Sequence, residues 1–166
     1  MSNCEIRRVK KGDSTVLANI QVASWQQAHS QIIPQEYLDK FLDVDYVTVI
    51  YERLLLNNKG NGYIMDVEGC SHCIAFWDKA RNCDLSNVAE IICIHSLPNN
   101  WRKGYGKMMM DKMLYDIKLQ GYTKVILWVF EKNERARSFY EACGFKETGE
   151  SKESLGAIEI SYIKEL

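Results

Sequence analysis

Residues 90 to 120, E-I-I-C-I-H-S-L-P-N-N-W-R-K-G-Y-G-K-M-M-M-D-K-M-L-Y-D-I-K-L-Q, constrain the fold more than any other stretch of the chain. A β-branched run leads into a short loop holding Gly104 and Gly106. Beyond it Met109, Met110, Met113, Leu114 and Ile117 recur at helical spacing until Gly121 stops the helix. The methionines read as core filler. The two glycines let the backbone approach a ligand closely, and the amides from about Arg102 to Lys107 lie where the helix presents its positive end. A strand, a glycine loop and a helix in this order predict an anion site, and phosphate oxygens are its natural guests.

The bulk properties narrow the setting. With 166 residues and 46% hydrophobic content the chain suits one well-packed domain spanning 1–166. A net charge of −1 and the lack of a dense basic run outside the glycine loop speak against a nucleic-acid partner. The start, M-S-N-C-E-I-R-R-V-K-K-G-D, has no apolar signal core, and no apolar run approaches the roughly 18 residues that would span a bilayer. The expected location is the cytoplasm, with no membrane partner. Six scattered cysteines (Cys4, Cys70, Cys73, Cys83, Cys93 and Cys143) fit reduced thiols better than a disulfide framework.

The remaining elements follow from periodicity and punctuation. Ile6 to Val9 reads as a short strand, and Asp13 is placed to cap a helix through Val16, Leu17 and Ile20 toward Trp25. Pro34 stands at a first helical position ahead of Tyr37, Leu38, Phe41 and Leu42, and another helix runs from about Val44 to Leu56. From Tyr63 the period becomes two: Y-I-M-D-V-E, a turn at Gly69 and H-C-I-A-F-W-D form a hairpin, followed by a strand from Val88 to His95. Lys124 to Phe130 suits a buried strand. Asn133 caps a helix that ends at Gly144, and Phe145 to Thr148 and Ala157 to Ile163 close the chain as strands. The implied class is α/β (α+β), with helices packed on one mixed sheet.

Three glycine-loop chemistries compete for Gly104, Tyr105, Gly106 and Lys107. A Walker loop needs four residues between its glycines and a hydroxyl after the lysine, where this chain has one residue and Met108. A dinucleotide fingerprint needs a third glycine near Met109 and a place on the first strand of the domain. What survives is W101-R-K-G104-Y-G106, which resembles the acyl-CoA loop of the GNAT superfamily of N-acetyltransferases: Gln or Arg, two residues, Gly, one residue, then Gly or Ala. Trp101 departs from that pattern at its first position. A second stretch, N133-E-R-A136-R-S-F139-Y140-E-A-C-G144-F145, matches the second signature of the superfamily at every fixed position. S24-W-Q-Q-A-H29 and I-I-P34-Q-E-Y37-L are similar to many members as well, so the likeness covers nearly the whole chain.

The resemblance implies a fold and a chemistry. The fold would be a mixed six- to seven-stranded sheet flanked by helices, with the fourth strand splayed from the fifth to form a cleft. The activity would be transfer of an acetyl group from acetyl-CoA to a primary amine by direct attack in a ternary complex, a small-molecule acceptor being favoured. Such a reaction needs a neutral amine, a home for the developing oxyanion and a proton for the leaving thiolate. The oxyanion amide would belong to Ile94 or a neighbour at the bulge. Ser96, Arg102, Lys103, Gly104, Tyr105, Gly106 and Lys107 would hold the cofactor, and Asn133 would face its pantetheine arm as well as cap a helix. Tyr140 would protonate the thiolate.

Glu90, in the stretch A89-E90-I91, stands where histone-type members carry their catalytic glutamate. A partly buried carboxylate with a raised pKa could take the amine proton there, directly or through water. His95 and His29 are the other titratable candidates for base. Trp25, His29, Tyr37 and His95 would line the acceptor pocket. Cys70 and Cys73, with His72 between them and Cys83 beyond, have a metal-like spacing but no second cysteine pair, so no metal is expected. Two other readings fit the same motifs: an acyl-CoA-binding sensor without turnover, and a transferase acting on peptides or proteins. A homodimer would be common among such enzymes.

Overall fold

The computed structural model describes residues 3–81 and 86–166. In chain order it contains β1 (Cys4–Arg8), α1 (Ser14–His29), α2 (Gln35–Phe41), α3 (Val44–Leu56), β2 (Asn61–Val67), β3 (Cys70–Lys79) and β4 (Val88–Ser96). A 3-10 turn (Pro98–Asn100), α4 (Tyr105–Leu119), β5 (Lys124–Phe130), α5 (Glu134–Ala142), β6 (Lys146–Ser154) and β7 (Ala157–Glu165) follow. The strands form one seven-stranded sheet in the order β1-β2-β3-β4-β5-β7-β6. Among the described residues only β4 and β5 run parallel, because α4 carries the chain across between them. The fold is the mixed α/β arrangement read from the sequence.

Both faces of the sheet are covered. On one face α4 buries Met109, Met110, Met113 and Ile117 against Met65, Ala75, Ala89, Val125 and Leu127, which confirms the methionines as core. Among them, the Trp77 indole donates to the Tyr63 hydroxyl at 3.0 Å, and that hydroxyl donates to Asp116 at 2.7 Å. Buried polar atoms are thereby satisfied. On the other face, Leu17, Ala18 and Ile20 of α1 and Val47 and Tyr51 of α3 pack on Ile64, Ile74 and Phe76.

The feature that makes a cleft is a failure of pairing. β4 and β5 are joined only from Val88 opposite Lys124 to Ile91 opposite Leu127. Beyond that point β4 stays on β3 as far as Ser96, and β5 stays on β7 as far as Phe130. The sheet therefore opens into a V. Its apex coincides with a bulge: the β3–β4 register shifts between Phe76 and Trp77, so Cys93 and Ile91 have partners and Ile92 has none.

Local details differ from the sequence reading in three places. Asp13 precedes α1 but does not cap it with its side chain. Its carboxylate is taken by the Arg7 guanidinium at 2.8 and 3.1 Å and by the Lys10 amide at 2.8 Å. Pro34 is the extended residue before α2 rather than its first residue. The largest difference is β6, which reaches Ser154 instead of Thr148, with a register shift between Glu147 and Ser151. K-E-T-G-E-S-K-E-S has no apolar alternation because this edge strand is largely solvent-exposed, so no core face writes a period into it.

Candidate active site

The glycine loop adopts the backbone its residues allow. Gly104 has φ +87°, and α4 begins directly after it. Arg102 is also left-handed, at φ +64°. The first helical hydrogen bond of α4 runs from the Met108 amide to the Gly104 carbonyl at 3.1 Å. The amides of Tyr105, Gly106 and Lys107 precede it and have no helical acceptor, which is the arrangement that receives anions. A Cβ on Gly104 would meet nothing within 4 Å, so its requirement is the backbone angle. At Gly106 a Cβ would come to 3.3 Å from the Phe139 ring of α5, so close helix packing sets the limit there.

Two cavities meet where the sheet opens. One, of about 730 Å³, is a groove between the loop and α5, lined by Ser96, Trp101, Arg102, Gly104, Tyr105, Gly106, Lys107 and Phe139 among others. The other, of about 450 Å³, lies under α1 and α3 on the opposite bank. Trp25, His29, Tyr51, His95, Trp128 and Phe130 supply its walls, and Asp78 and Glu159 lie at its rim. Ser24, Ile94, Arg135, Ala136 and Tyr140 line both. These five residues form a throat.

Most of the residues singled out by sequence converge here. Ile94, Ser96, Arg102, Gly104, Tyr105, Gly106 and Lys107 line the groove, and Tyr140 lies at the throat. Trp25, His29 and His95 line the inner cavity. Ile94 and His95 both reach that cavity, where strict alternation would send one of them away; the loss of β5 as a neighbour exposes both. Backbone groups from Ile92 onward likewise lose the partner that would otherwise occupy them.

Four expected residues lie elsewhere. Glu90 lines neither cavity; it is 3% exposed, and both carboxylate oxygens are bound to Arg81. The Arg81 guanidinium contacts them at 2.7 and 3.2 Å, and the Arg81 amide adds a bond at 3.1 Å. The carboxylate expected as general base is thus buried, paired with the largely exposed Arg81 side chain, and set apart from both cavities. Tyr37 stands outside both cavities, packed near Gly156. Lys103 turns from the groove to bond Asn100 at 2.6 Å. Asn133 lines the inner cavity rather than the groove, and its side chain accepts from the Ala136 amide at 3.1 Å, capping α5.

Cys70 is exposed and Cys73 buried, with His72 at an irregular point of the β2–β3 register. Cys83 lies outside the described residues.

Sequence reasoning missed three contributors. His72 is buried, meets Asn100 at 3.3 Å and stacks on Tyr105 at 5.1 Å, so it holds the loop from β3. Glu159, from β7, brings a half-buried carboxylate to the inner cavity. Arg135 places its guanidinium 3.5 Å from the centre of the Trp101 ring. The Trp101 indole in turn donates to the Ser96 carbonyl at 3.0 Å. Only for Arg135 was there a signal, since it lies inside the second motif at a variable position.

The electrostatics of the throat follow from burial. Tyr140 is buried, and desolvation pushes its phenol pKa well above the ordinary 10, with Arg135 opposing. His29 is lowered to about 4 by burial, then by the charge of Arg135. His95 is lowered by burial and by His29 and Arg135. Both histidines are therefore neutral at neutral pH. Burial raises Glu159, against the pull of Lys152 at 3.7 Å. Two polar atoms of the inner cavity are buried and have no protein partner, the Trp25 Nε1 and the His29 Nδ1.

A model of the acetyltransferase (GNAT) family matches residues 16–145. The chain belongs to the GNAT acetyltransferase family. It is 23% identical over 158 residues to the uncharacterized N-acetyltransferase YuaI of Bacillus subtilis, covering 95% of this chain and 89% of that protein. In fold it is similar to the PaiA N-acetyltransferase of Thermoplasma acidophilum, solved with coenzyme A, at TM-score 0.82 and 19% identity over 99% of both chains. It is also similar to yncA of Salmonella typhimurium, solved with acetyl-CoA, at TM-score 0.72 and 16% identity over 98% of this chain and 93% of that one. Within the GNAT frame, the open V between β4 and β5 is the expected cleft. Trp101 is the local departure from the family loop, and its ring is occupied by Arg135 rather than left idle.

Proposed function

We propose that residues 1–166 act as one acetyltransferase domain that moves an acetyl group from acetyl-CoA to the primary amine of a small molecule. The observation that carries this reading is the meeting of an anion-binding groove and a separate cavity at one throat, lined by Tyr140 and Ile94. The left-handed Gly104 and the open amides of Tyr105, Gly106 and Lys107 suit a pyrophosphate. Acetyl-CoA, when bound, supplies an activated thioester. The inner cavity, at about 450 Å³, has the size of a small-molecule site and walls that are largely aromatic.

The chain's own groups then suffice. The Asp78 and Glu159 carboxylates attract the acceptor as its ammonium ion, and desolvation between Trp25, Phe130 and Trp128, together with the Arg135 charge, favours loss of that proton to solvent, so the amine reacts in its free form. Neutral His95 and His29 orient it by accepting its N–H. Backbone amides of β4 near Ile94, left without β5, receive the developing oxyanion. Tyr140 gives its proton to the departing thiolate. The proton shed by the attacking nitrogen restores the phenol, directly or through water, so no carboxylate base is required and the overall transfer balances.

Purified protein incubated with acetyl-CoA and a panel of amines, read by free-thiol release, tests the proposal. Release with one or more small amines supports it. Tight CoA binding without release across a broad panel would instead support an acyl-CoA sensor, and release only with peptide N-termini or protein lysines would move the acceptor class.

A further inference from the structure

We infer that Arg135, held over the Trp101 ring, supplies a cationic contact to the donor's diphosphate in place of the Gln or Arg side chain that the glycine-loop motif carries at position 101. This assignment rests on acetyl-CoA being the donor.

The motif calls for Gln or Arg at position 101, and this chain carries a tryptophan, which has no charge and a single N–H. That N–H is committed to the Ser96 carbonyl at 3.0 Å, so it has none left for a phosphate. The same bond fixes the plane of the indole. Arg135 then lies 3.5 Å from the ring centre, the distance of a guanidinium stacked on an aromatic face. It comes from α5, across the groove from the loop. Stacking restricts a long side chain while leaving its edge donors free, which preorganises a fork suited to paired phosphate oxygens.

Of the other cations that line the groove, Lys107 is bonded to both carboxylate oxygens of Asp111, whereas Arg102, like Arg135, has no protein partner among the described residues but lacks an aromatic ring to hold it. Among the described residues no carboxylate pairs with Arg135, and none of its nitrogens hydrogen-bonds the protein. It also lines the groove beside Arg102, Gly104 and Lys107, the residues around the amide cradle. A guanidinium without a protein partner, held over an aromatic ring in the groove that contains the cradle, is a donor awaiting an anion. The family pattern at position 101 and the variable position 135 have, on this reading, exchanged duties.

The test is titration calorimetry of wild-type, Arg135→Ala and Trp101→Arg/Arg135→Ala protein with CoA and with 3′-dephospho-CoA. Losing a charge-assisted contact should weaken CoA binding roughly 10- to 100-fold in Arg135→Ala. The loss should be equal for 3′-dephospho-CoA, which keeps the diphosphate and lacks the ribose phosphate. Restoring an arginine at position 101 should recover most of the affinity, a rescue that a purely structural role of Arg135 would not give. Unchanged CoA affinity in Arg135→Ala overturns the inference, as does a failure of the double variant to recover. A loss seen with CoA alone would assign Arg135 to the ribose phosphate and overturn it equally. Absence of CoA binding in the wild-type protein would sink the donor reading itself, and is thus distinguishable.

Discussion

The groove and the inner cavity meet at one throat, yet they are built in opposite ways. The groove is made largely of consecutive residues, Ser96 to Lys107, with α5 facing them and Ser24 of α1 at the throat. Its binding groups are mainly backbone amides, whose direction follows from φ at Gly104 and from the start of α4. The inner cavity is assembled from α1, α3, β3, β4, β5, α5 and β7, and its chemistry is in side chains. A binding site made of backbone can be held constant by two glycines, whereas one made of side chains from seven elements can change at each of them. On the proposed reading, donor recognition rests on local backbone, and acceptor recognition on side chains gathered from many elements.

The comparison breaks first at Gly104. A side chain there must adopt φ +87°, and Gly104→Val should reorient the loop and cost on the order of 100-fold or more in CoA affinity, while the fold, with open space around that Cβ, stays intact. Calorimetry together with a thermal melt checks both halves; unaltered affinity would detach the loop from the donor. Tyr140→Phe comes next. Turnover should drop roughly 100-fold with CoA affinity retained. Because the wild-type phenol is raised by burial, its rate should hold through neutral pH and decline only in alkali, and the variant should lack that alkaline limb.

His29 sharpens the contrast through stability. Its folded pKa of about 4 lies below the ordinary 6.5, so the unfolded chain binds a proton that the folded chain refuses. The contribution is fully present above about pH 6.5 and is lost as pH falls toward 4, with a ceiling of about 3 kcal/mol. Denaturant midpoints compared between pH 7 and pH 5 should converge in His29→Gln relative to wild type; an unchanged difference would mean that His29 is not buried in neutral form. The smallest effect is at Trp25, whose buried Nε1 lacks a partner. Trp25→Phe should leave CoA affinity untouched and raise the acceptor KM by roughly 5- to 10-fold, the worth of about one hydrogen bond. A shift in CoA affinity instead would show that the two halves are not separable.

Glu90 illustrates why position along a strand does not settle a role. Its place before Gly104 matched a catalytic glutamate, but Arg81, nine residues earlier, folds back and takes both oxygens. Such a bond, from the turn after β3 back to β4, is invisible without the β3–β4 pairing that brings the two together. Trp101 was visible as an anomaly, though its resolution was not, because Arg135 reaches it only once α5 docks across the groove. Tyr37 had the right residue type on the right segment, and packing carried it out of the cavity.

The sequence by itself determined the elements with strong periods, the glycine loop, the second motif and thus the family and the donor side, because those depend on local backbone geometry and on spacing within one segment. It left β6 too short, since a solvent-exposed edge strand carries no hydrophobic alternation. Only the tertiary structure decided the inner cavity, the ion pair of Glu90 and the partner of Trp101. Each of these depends on which side chains meet across elements far apart in the chain, where β4 parts from β5 after only four paired residues.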